Sequence, residues 1–392
     1  MNETPTSVRT HIGFFGKRNA GKSSLVNAVI GQNLSIVSEV KGTTTDPVSK
    51  AMELLPIGPV VMIDTPGLDD QGVLGEQRIL KAKQVLNKTD VAVLVVDAKE
   101  GKAAEEEELI AVFHEKQTPF IVAYNKADLL DGAAFELDEN EILVSALTKE
   151  GVYALKEKIA TLAETQEIKL KLVGDLLKQG DFVVLVIPID TAAPKGRLIL
   201  PQQQIIRDVL EANATSIVVR EYELRDVLAR LGEKPRLVIT DSQAFAQVSA
   251  DTPRDIPLTS FSMLFARFNG FLDVSLEGVK ALERLEDGDK VLVSEGCTHH
   301  RQCDDIGTVK IPRWVKAYTN KDICFEFTSG GEFPTDLSDY RLVIHCGACM
   351  LNRRETLHRK KVSLAQNVPI VNYGVLIAYT QGILERCVEP LL

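Results

Sequence analysis

Residues 10–30 read THIGFFGKRNAGKSSLVNAVI, and this stretch decides the fold of the first part of the chain. The apolar run Thr10–Phe15 predicts a buried strand, and Lys22–Ile30 has the spacing of a helix. Between them, GKRNAGKS from Gly16 to Ser23 matches the pattern G-x-x-x-x-G-K-[ST], in which glycines let backbone N–H groups surround a phosphate. This strand–loop–helix context predicts an α/β nucleotide-binding domain.

Individual residues of the loop have separate expected roles. Lys22 can reach the β- and γ-phosphates, which makes it a candidate catalytic residue. The hydroxyl of Ser23 can ligate Mg²⁺. Gly16, Gly21 and Ser24 complete the set that we expect to contact the phosphates.

A second segment, DTPG at Asp64–Gly67, follows the apolar run Val60–Ile63. Asp64 suits Mg²⁺ through a bound water, and the Gly67 N–H suits the γ-phosphate of a nucleotide. The next residue is Leu68 instead of glutamine, so a water-orienting glutamine is missing at this position.

Two later segments predict recognition of guanine. NKAD at Asn125–Asp128 follows the apolar run Phe120–Tyr124, and Asp128 can accept from the N1–H and the 2-amino group, which adenine lacks. SAL at Ser145–Leu147 can place a backbone N–H near guanine O6. Four motifs in this order predict a GTPase domain that binds GTP or GDP with Mg²⁺. The expected base-contacting residues are Asn125, Lys126, Asp128, Ser145 and Ala146.

The motif set resembles the Era/TrmE-like branch of GTPases, whose first switch reads G-T-T-R-D, where Gly42–Asp46 here reads GTTTD. The resemblance implies that Thr44 is a Mg²⁺ ligand with a catalytic role, whereas Thr45 replaces the usual arginine. Asn19 stands where potassium-activated members of the branch ligate K⁺. Glu76, in the second switch, is either a water-orienting catalytic acid or a solvated loop carboxylate.

Length and charge constrain the rest of the chain. At roughly 100–200 residues per domain, 392 residues indicate two or three domains. A net charge of −10 argues against general nucleic-acid binding, because phosphate repels an acidic protein. No apolar run approaches the roughly 18–20 residues that cross a bilayer, and no signal peptide is visible. We therefore expect a cytoplasmic protein without a membrane partner.

A second α/β pattern follows a helix expected over Val152–Leu162. The expected strands are Phe182–Pro188, Ser216–Val219 and Leu237–Thr240. The expected helices are Gln202–Ala212, Tyr222–Leu231 and Pro257–Phe268. This middle segment has no nucleotide loop and no Cys or His. The lack of chemically reactive residues favours a structural or assembly role.

The third segment contains the residues that could bind a metal. Cys346 and Cys349 form C-x-x-C directly after His345, and Cys297 lies upstream with His299. Three thiolates with an optional fourth ligand suit zinc or an iron–sulfur cluster, and inert buried cysteines are the alternative. The cysteines without paired spacing, which we expect to pack in the interior, are Cys303, Cys324 and Cys387.

Two runs of charge are expected to be solvated helix faces. The acidic run is Glu105–Glu108, at a helix start where the helix dipole favours negative charge. The basic run is Arg353–Lys361, for which a docking site for an acidic partner is the alternative.

The third segment is also expected to contain strands at Ile323–Thr328 and Arg341–His345 and a terminal helix around Val375–Ile383.

The combination of this GTPase domain, a plain α/β middle segment and C-x-H … H-C-x-x-C resembles the HydF family of [FeFe]-hydrogenase maturation GTPases. The resemblance implies a P-loop GTPase domain at 1–167, an α/β dimerisation domain at 168–268 and a third α/β domain at 269–392 that binds a [4Fe–4S] cluster. The cluster ligands would be Cys297, Cys346 and Cys349. Dimerisation through the middle domain would make the protein a homodimer.

The same resemblance implies a scaffold. It would accept a transient diiron precursor from radical-SAM maturases and pass it to apo-[FeFe]-hydrogenase, while slow, K⁺-stimulated GTP hydrolysis regulates partner exchange. The fourth cluster ligand is open among His299, His345, Asp304 and Asp305. His345 could instead be a hydrogen-bond donor that adjusts the cluster without ligating it. The alternatives are a zinc-stabilised regulatory GTPase and a TrmE-like tRNA-modification GTPase, against which the acidic charge and the cysteine set argue.

Overall fold

The computed structural model describes residues 5–31, 47–67, 81–130, 136–164, 171–189, 198–296 and 305–392. The chain divides into two compact units, Met1–Ile168 and Lys169–Leu392, and each is described by itself. Among the helices of these described ranges, none is both long enough and apolar enough to cross a bilayer.

The first unit is built on a six-stranded sheet. Its strands are β1 (Thr10–Phe15), β2 (Val48–Leu54), β3 (Gly58–Asp64), β4 (Val91–Asp97), β5 (Phe120–Asn125) and β6 (Glu141–Leu143). Its helices are α1 (Lys22–Ile30), α2 (81–87), α3 (Ala104–Glu115) and α4 (Val152–Glu164), with 3₁₀ turns at Thr6–Val8 and Ala127–Leu129. The spatial order is β2-β3-β1-β4-β5-β6, in which β2 alone runs antiparallel to its neighbour.

Apolar packing on both faces of this sheet explains why its central strands are nearly continuous apolar runs. In β4 the side chains from Val91 to Val96 are all fully buried. Alternate residues of the strands contribute to two separate hydrophobic clusters, one on each face. This burial pattern is typical of a parallel sheet with helices on both sides, so the predicted α/β fold is confirmed. Strand β2, with a mostly exposed face, was not predicted.

The second unit contains two further sheets. The strands are β7 (Phe182–Val186), β8 (Thr215–Val219), β9 (Leu237–Thr240), β10 (Leu258–Ser260), β11 (Lys290–Ser294), β12 (Cys324–Thr328), β13 (Tyr340–His345) and β14 (Ile370–Asn372). The helices are α5 (Leu200–Glu211), α6 (Leu224–Arg230), α7 (Phe245–Asp251), α8 (Phe261–Phe268), α9 (Leu272–Gly278), α10 (Ile311–Thr319), α11 (Arg353–Ala365), α12 (Tyr373–Thr380) and α13 (Leu384–Val388). Shorter helical turns are Gly174–Leu176, Ser242–Ala244, Val279–Arg284, Ile306–Lys310 and Glu389–Leu391.

Each sheet of this unit has four parallel strands, in the orders β10-β9-β7-β8 and β12-β11-β13-β14. In the second of them, β11 is followed along the chain by its neighbour on one side, β12, and then by its neighbour on the other side, β13. The connections therefore diverge between β11 and β13. Loops at the carboxyl ends of two such strands leave a crevice between them, where α/β proteins bind ligands.

The two sheets of the second unit share one hydrophobic core. A single cluster of buried side chains runs from Leu172 through both sheets to Leu391. Arg386 of α13 reinforces the junction, because its Nη1 donates to Ser249 O at 2.9 Å and its Nη2 to Thr252 O at 2.8 Å. The middle and third segments therefore pack together as one body.

One predicted helix, Pro257–Phe268, is wrong over its first residues. Leu258–Ser260 forms β10, whose side chains are all buried and which pairs with β9, and the helix begins only at Phe261. The side chain of Ser260 accepts the N–H of Met263 and caps the helix. A three-residue buried strand that runs straight into a helix has too few residues for its period to be recognised in the sequence.

Candidate functional site

The phosphate loop joins β1 to α1 and is packed too tightly for side chains at its glycines. A Cβ added to Gly16 would lie 2.2 Å from the carbonyl oxygen of Val95, and one added to Gly21 would lie 2.2 Å from Nδ2 of Asn125. Both glycines also have positive φ, 138° and 88°. Asn125 Nδ2 donates to Ala20 O at 3.0 Å, so the guanine-recognition segment braces the phosphate loop.

The ammonium of Lys22 is held inside this loop. The residue is only 7% exposed, and Nζ donates to the carbonyl oxygens of Gly16 at 3.0 Å and Lys17 at 2.6 Å. Carbonyl oxygens carry only partial charge, so an anionic phosphate oxygen is a stronger partner for this buried cation. The geometry fits the role predicted for Lys22.

A Mg²⁺-type corner lies between α1 and β3. The Ser23 hydroxyl donates to Asp64 Oδ2 at 2.5 Å, and the other carboxylate oxygen of Asp64 is buried without a hydrogen-bond partner. Burial raises the pKa of Asp64, while Ser23 and the charge of Lys22 act in the opposite direction. A buried, unsatisfied carboxylate oxygen beside a hydroxyl fits a hydrated Mg²⁺. Thr44, the other expected Mg²⁺ ligand, lies outside the described residues.

The DTPG segment is fixed against β1 and the phosphate loop. Thr65 donates to the carbonyl oxygen of Phe14 through both its N–H, at 3.2 Å, and its hydroxyl, at 2.7 Å. A Cβ on Gly67 would lie 2.8 Å from the backbone nitrogen of Arg18, so the two loops approach too closely for a side chain. This contact places the Gly67 backbone beside the phosphate loop. Leu68 and Glu76 lie outside the described residues.

The predicted base-recognition residues come together at the ends of β5 and β6. Asn125 Oδ1 accepts the N–H of Ala146 at 3.0 Å, and Asp128 Oδ1 accepts from the Ser145 hydroxyl at 2.5 Å. Asp128 itself is exposed, so its carboxylate is accessible to a base. These contacts bring the predicted residues together, and Asn125 contacts both the phosphate loop and the SAL segment.

Lys126 occupies a left-handed backbone position, φ 67°, and its side chain returns to β4. Its Nζ lies 2.5 Å from Asp97 Oδ2. Burial would raise the pKa of Asp97, but hydrogen bonds and charge from Lys126 outweigh it and lower that pKa. The ion pair fixes the aliphatic stem of Lys126 beside the base-recognition segment.

The prediction for the acidic run Glu105–Glu108 is wrong at one position. Three of its carboxylates are exposed, but Glu106 is only 3% exposed and accepts the N–H of Ala103 at 3.0 Å, at the start of α3. Lys17 of the phosphate loop lies 3.0 Å from Glu105 and 3.4 Å from Glu106. The run therefore ties the phosphate loop to α3, a role that only tertiary structure reveals.

In the second unit, the cysteine segments meet at the crevice between β11 and β13. Ser294 and His345, the last residues of these strands, are paired neighbours in the sheet. The N–H of Gly296 donates to Cys346 Sγ at 3.0 Å, and the N–H of Ala348 does so at 3.4 Å. Burial raises the pKa of the Cys346 thiol, and these two donors oppose that shift by stabilising thiolate.

The described cysteines fall into three environments. Cys346 and Cys349 are partly buried at the carboxyl end of the sheet and form no disulfide, and Cys387 is fully buried, as predicted. Cys324 is exposed at the first residue of β12, so its prediction as a packing residue is wrong. No side chain of edge strand β12 is buried, and the sequence of a short strand does not reveal that it lies at an edge. The remaining predicted positions Cys297, His299 and Cys303 lie outside the described residues.

His345 is buried, 1% exposed, and both of its ring nitrogens have protein partners. Nδ1 lies 2.8 Å from Cys346 O, and Nε2 lies 3.3 Å from Arg359 Nη1. Since a carbonyl only accepts and a guanidinium only donates, the imidazole carries its proton on Nδ1. Burial and the Arg359 charge lower the pKa of His345 to about 3. This geometry favours support of Cys346 over direct ligation by His345.

The basic run Arg353–Lys361 is a solvated helix face only in part. Arg359 is fully buried and donates through Nε to Glu355 Oε1 at 3.0 Å. The prediction is wrong at this position because α11 packs against the ends of β11 and β13 on the face that carries Arg359. Buried ion pairs at four-residue spacing look like ordinary exposed helix pairs in a sequence.

The possible weak ligands on the loop after Cys297 are only partly described. Asp305 is 7% exposed, and its Oδ2 accepts from the N–H and the hydroxyl of Thr308, both at 2.8 Å. Asp304 lies outside the described residues. Within the described ranges, no group of three or more His, Cys, Asp or Glu side chains has the arrangement of a metal site.

Three family models match successive parts of the chain. Residues 11–126 match the model of the 50S ribosome-binding GTPase family, so the fold and motif loops define a P-loop GTPase. Residues 172–270 match the hydrogen maturase F dimerization domain, and residues 273–390 match the hydrogen maturase F tetramerization domain. The chain belongs to the hydrogen maturase F (HydF) family. An oligomer is therefore indicated, and tetramerisation was not predicted from the sequence.

Individual relatives resemble only part of this chain. The tRNA modification GTPase MnmE of Clostridioides difficile is 34% identical over 165 residues, which cover 39% of this chain and 34% of that protein. GTPase Der of Clostridium perfringens is 36% identical over 124 residues, 31% of this chain and 28% of its own. This chain thus spans about a third of the length of these curated relatives. A crystal structure of Aquifex aeolicus Era with GDP and AlF4⁻ has a TM-score of 0.34 at 22% identity, over 57% of this chain and 98% of Era.

Asp128 provides a direct test of the base-recognition cluster. Asp128→Ala should weaken GTP and GDP binding by roughly 1.5–3 kcal/mol, or about ten- to a hundred-fold, because charge-assisted hydrogen bonds to two guanine donors are lost. ATP binding should change little, so the preference for GTP should shrink. Competition with a fluorescent nucleotide measures both affinities. Asp138→Ala, at another exposed acid of the same unit, is the control; a full GTP preference in Asp128→Ala would contradict the assignment.

Proposed function

We propose that this chain is a scaffold GTPase of [FeFe]-hydrogenase maturation. In this proposal Cys297, Cys346 and Cys349 hold a [4Fe–4S] cluster in the third of three domains, divided at 167/168 and 268/269. The scaffold accepts a diiron precursor from radical-SAM maturases as cargo and delivers it to apo-hydrogenase. GTP hydrolysis regulates these partner interactions. The described cysteines form no disulfide, which suits the reducing cytoplasm.

The observation that carries the proposal is the contact between Gly296 and Cys346. Gly296 immediately precedes Cys297, and its N–H lies 3.0 Å from Cys346 Sγ, although the two residues are 50 positions apart in the chain. The upstream cysteine segment therefore starts beside the C-x-x-C loop, at the crevice of a parallel sheet. Backbone donors to sulfur are a usual feature of iron–sulfur sites and adjust their potential. The donor set fits a cluster with three thiolate ligands.

A carrier must bind its cargo and then release it, so one coordination position should be exchangeable. We rank His299 first for that position, because both nitrogens of His345 are engaged within the protein. When bound, the cluster would supply an attachment point for the iron-containing cargo. The backbone N–H groups of Gly296 and Ala348 hold the sulfur of Cys346 in place.

The role of the cysteines is testable by reconstitution with iron and sulfide under anaerobic conditions. We expect severalfold lower iron content and hydrogenase activation in each of three variants, because each thiolate holds one iron. The variants are Cys297→Ser, Cys346→Ser and Cys349→Ser. Iron analysis and electron paramagnetic resonance measure the first effect. Cys324→Ser is the matched control, since this exposed thiol lies at the opposite end of the sheet. A colourless wild-type protein that retains zinc would overturn the proposal.

Hydrolysis should be slow and faster in K⁺ than in Na⁺. Asn19 is exposed in the phosphate loop with a left-handed backbone, φ 62°, where its side-chain oxygen is free to reach a cation beside the phosphates. A cation there adds positive charge where negative charge develops in the transition state. Phosphate release should therefore be several-fold faster in K⁺, and Asn19→Ala should remove the difference. Equal rates of the wild-type chain in matched K⁺ and Na⁺ salts would count against the site.

A homodimer through the middle segment is also part of the proposal. Strand β8 is the edge of its sheet in the described structure, and Val218 is 48% exposed on it. Exposed sheet edges are usually covered or paired, and a second copy of the chain would pair this edge and cover Val218.

A charge on this edge should disrupt the dimer. Val218→Glu should halve the mass of the full chain measured by light scattering, because an unpaired carboxylate would be buried between the copies. Circular dichroism should show that the variant is folded. Tyr153→Glu, at a residue of the first unit that is 75% exposed, should leave the mass unchanged. An unchanged mass in Val218→Glu would move the interface to another surface.

A further inference from the structure

Arg359 is the most deeply buried cation of the second unit that the structure describes, and the nucleotide site does not involve it. Its side chain is 0% exposed and is among the largest fully buried side chains of the described residues. A guanidinium cannot lose its proton in a protein, so its burial must be compensated by acceptors. Removing such a charge from water costs free energy, which the contacts of the guanidinium must offset.

The guanidinium connects four separate elements. Nε donates to Glu355 on its own helix, and Nη2 donates to Gly330 O at 2.6 Å, in the loop after β12. Nη1 donates to Ser294 Oγ at 3.1 Å and lies 3.3 Å from His345 Nε2. The group also lies over the Phe333 ring, 5.2 Å from its centroid. At least four of its five N–H donors are therefore used in a fixed fork.

Two of these partners are the last residues of the strands that carry the cysteines. Ser294 ends β11, three positions before Cys297, and His345 ends β13, immediately before Cys346. His345 passes the contact on, because its Nδ1–H donates to the carbonyl oxygen of Cys346. One planar fork thus contacts both strand ends, which are also paired with each other in the sheet. A lysine ammonium has no planar fork and cannot reproduce these contacts.

We propose that Arg359 is a positioning residue that, through Ser294 and His345, sets the geometry and the reduction potential of a cluster held by the cysteines at this crevice. The inference rests on the proposed function, since it needs a cluster in that place. Reduction adds negative charge to the cluster, and a buried cation beside the Cys346 loop stabilises the reduced form. His345 stays oriented because its acceptor nitrogen faces the guanidinium.

A double-mutant cycle tests the pathway through His345. The four proteins are the full-length wild type, Arg359→Lys, His345→Gln and the double variant, all reconstituted with iron and sulfide. We expect Arg359→Lys to remain folded and to change the electron paramagnetic resonance spectrum of the reduced cluster. We also expect a shifted reduction potential, because an ammonium keeps the positive charge but cannot contact Glu355, Ser294 and His345 together. In the His345→Gln background the same substitution should shift the potential much less.

A control variant and two separate negative outcomes complete this experiment. Lys361→Gln, at an exposed cation of the same helix, should leave spectrum and potential unchanged. If Arg359→Lys does not fold, Glu355→Gln takes its place in the cycle, because it loosens the fork and keeps a neutral acceptor. Wild-type spectra and potential in the tested variant, or shifts that simply add, would overturn the inference. A wild-type chain that takes up no cluster would overturn the proposed function instead.

Discussion

Parallel strands all end at the same edge of a sheet, and both candidate sites depend on this constraint. In the first unit, Gly16 follows β1, Thr65 follows β3 and Lys126 follows β5, so segments far apart in the chain converge on one edge. In the second unit, the loops after β11 and β13 converge in the same way, and Gly296 contacts Cys346. The sheets do not create the chemistry. They bring the residues that carry it within hydrogen-bond distance of each other.

Buried charge at these edges is compensated by fixed partners in each case. Lys22 lies among backbone carbonyls with Asp64 nearby, and the unsatisfied oxygen of Asp64 indicates that a bound group completes this corner. Around Arg359, Glu355 and neutral acceptors already engage at least four of the five N–H donors without a ligand. The first arrangement is suited to binding and releasing an anion with its metal ion. The second is suited to holding a geometry constant.

Motifs and long apolar runs could be predicted from the sequence, whereas contacts between distant segments could not. Strand β1, helix α1 and strand β4 begin and end where the apolar pattern and its polar flanks predict, because burial on both faces leaves a strong signal. The three-residue strand β10, the exposed Cys324 and the buried Arg359 were missed. A short strand has no measurable period, and whether a charged helix residue faces water or a sheet depends on which segment packs against it.

The shared core of the second unit places the middle segment against the segment that carries the cysteines. Ser262 of α8 lies where the middle and third segments meet. A Cβ added to Gly374 would lie 1.9 Å from the Ser262 hydroxyl oxygen, and one added to Gly347 of the C-x-x-C loop would lie 3.8 Å from the Cβ of Ser262. Ser262 also hydrogen-bonds to Ser242, in the turn after β9. Close-packed interiors have few voids to absorb a displacement. The middle sheet and the loop that carries Cys346 are therefore parts of one close-packed body, in which a single cluster of buried side chains extends through both sheets.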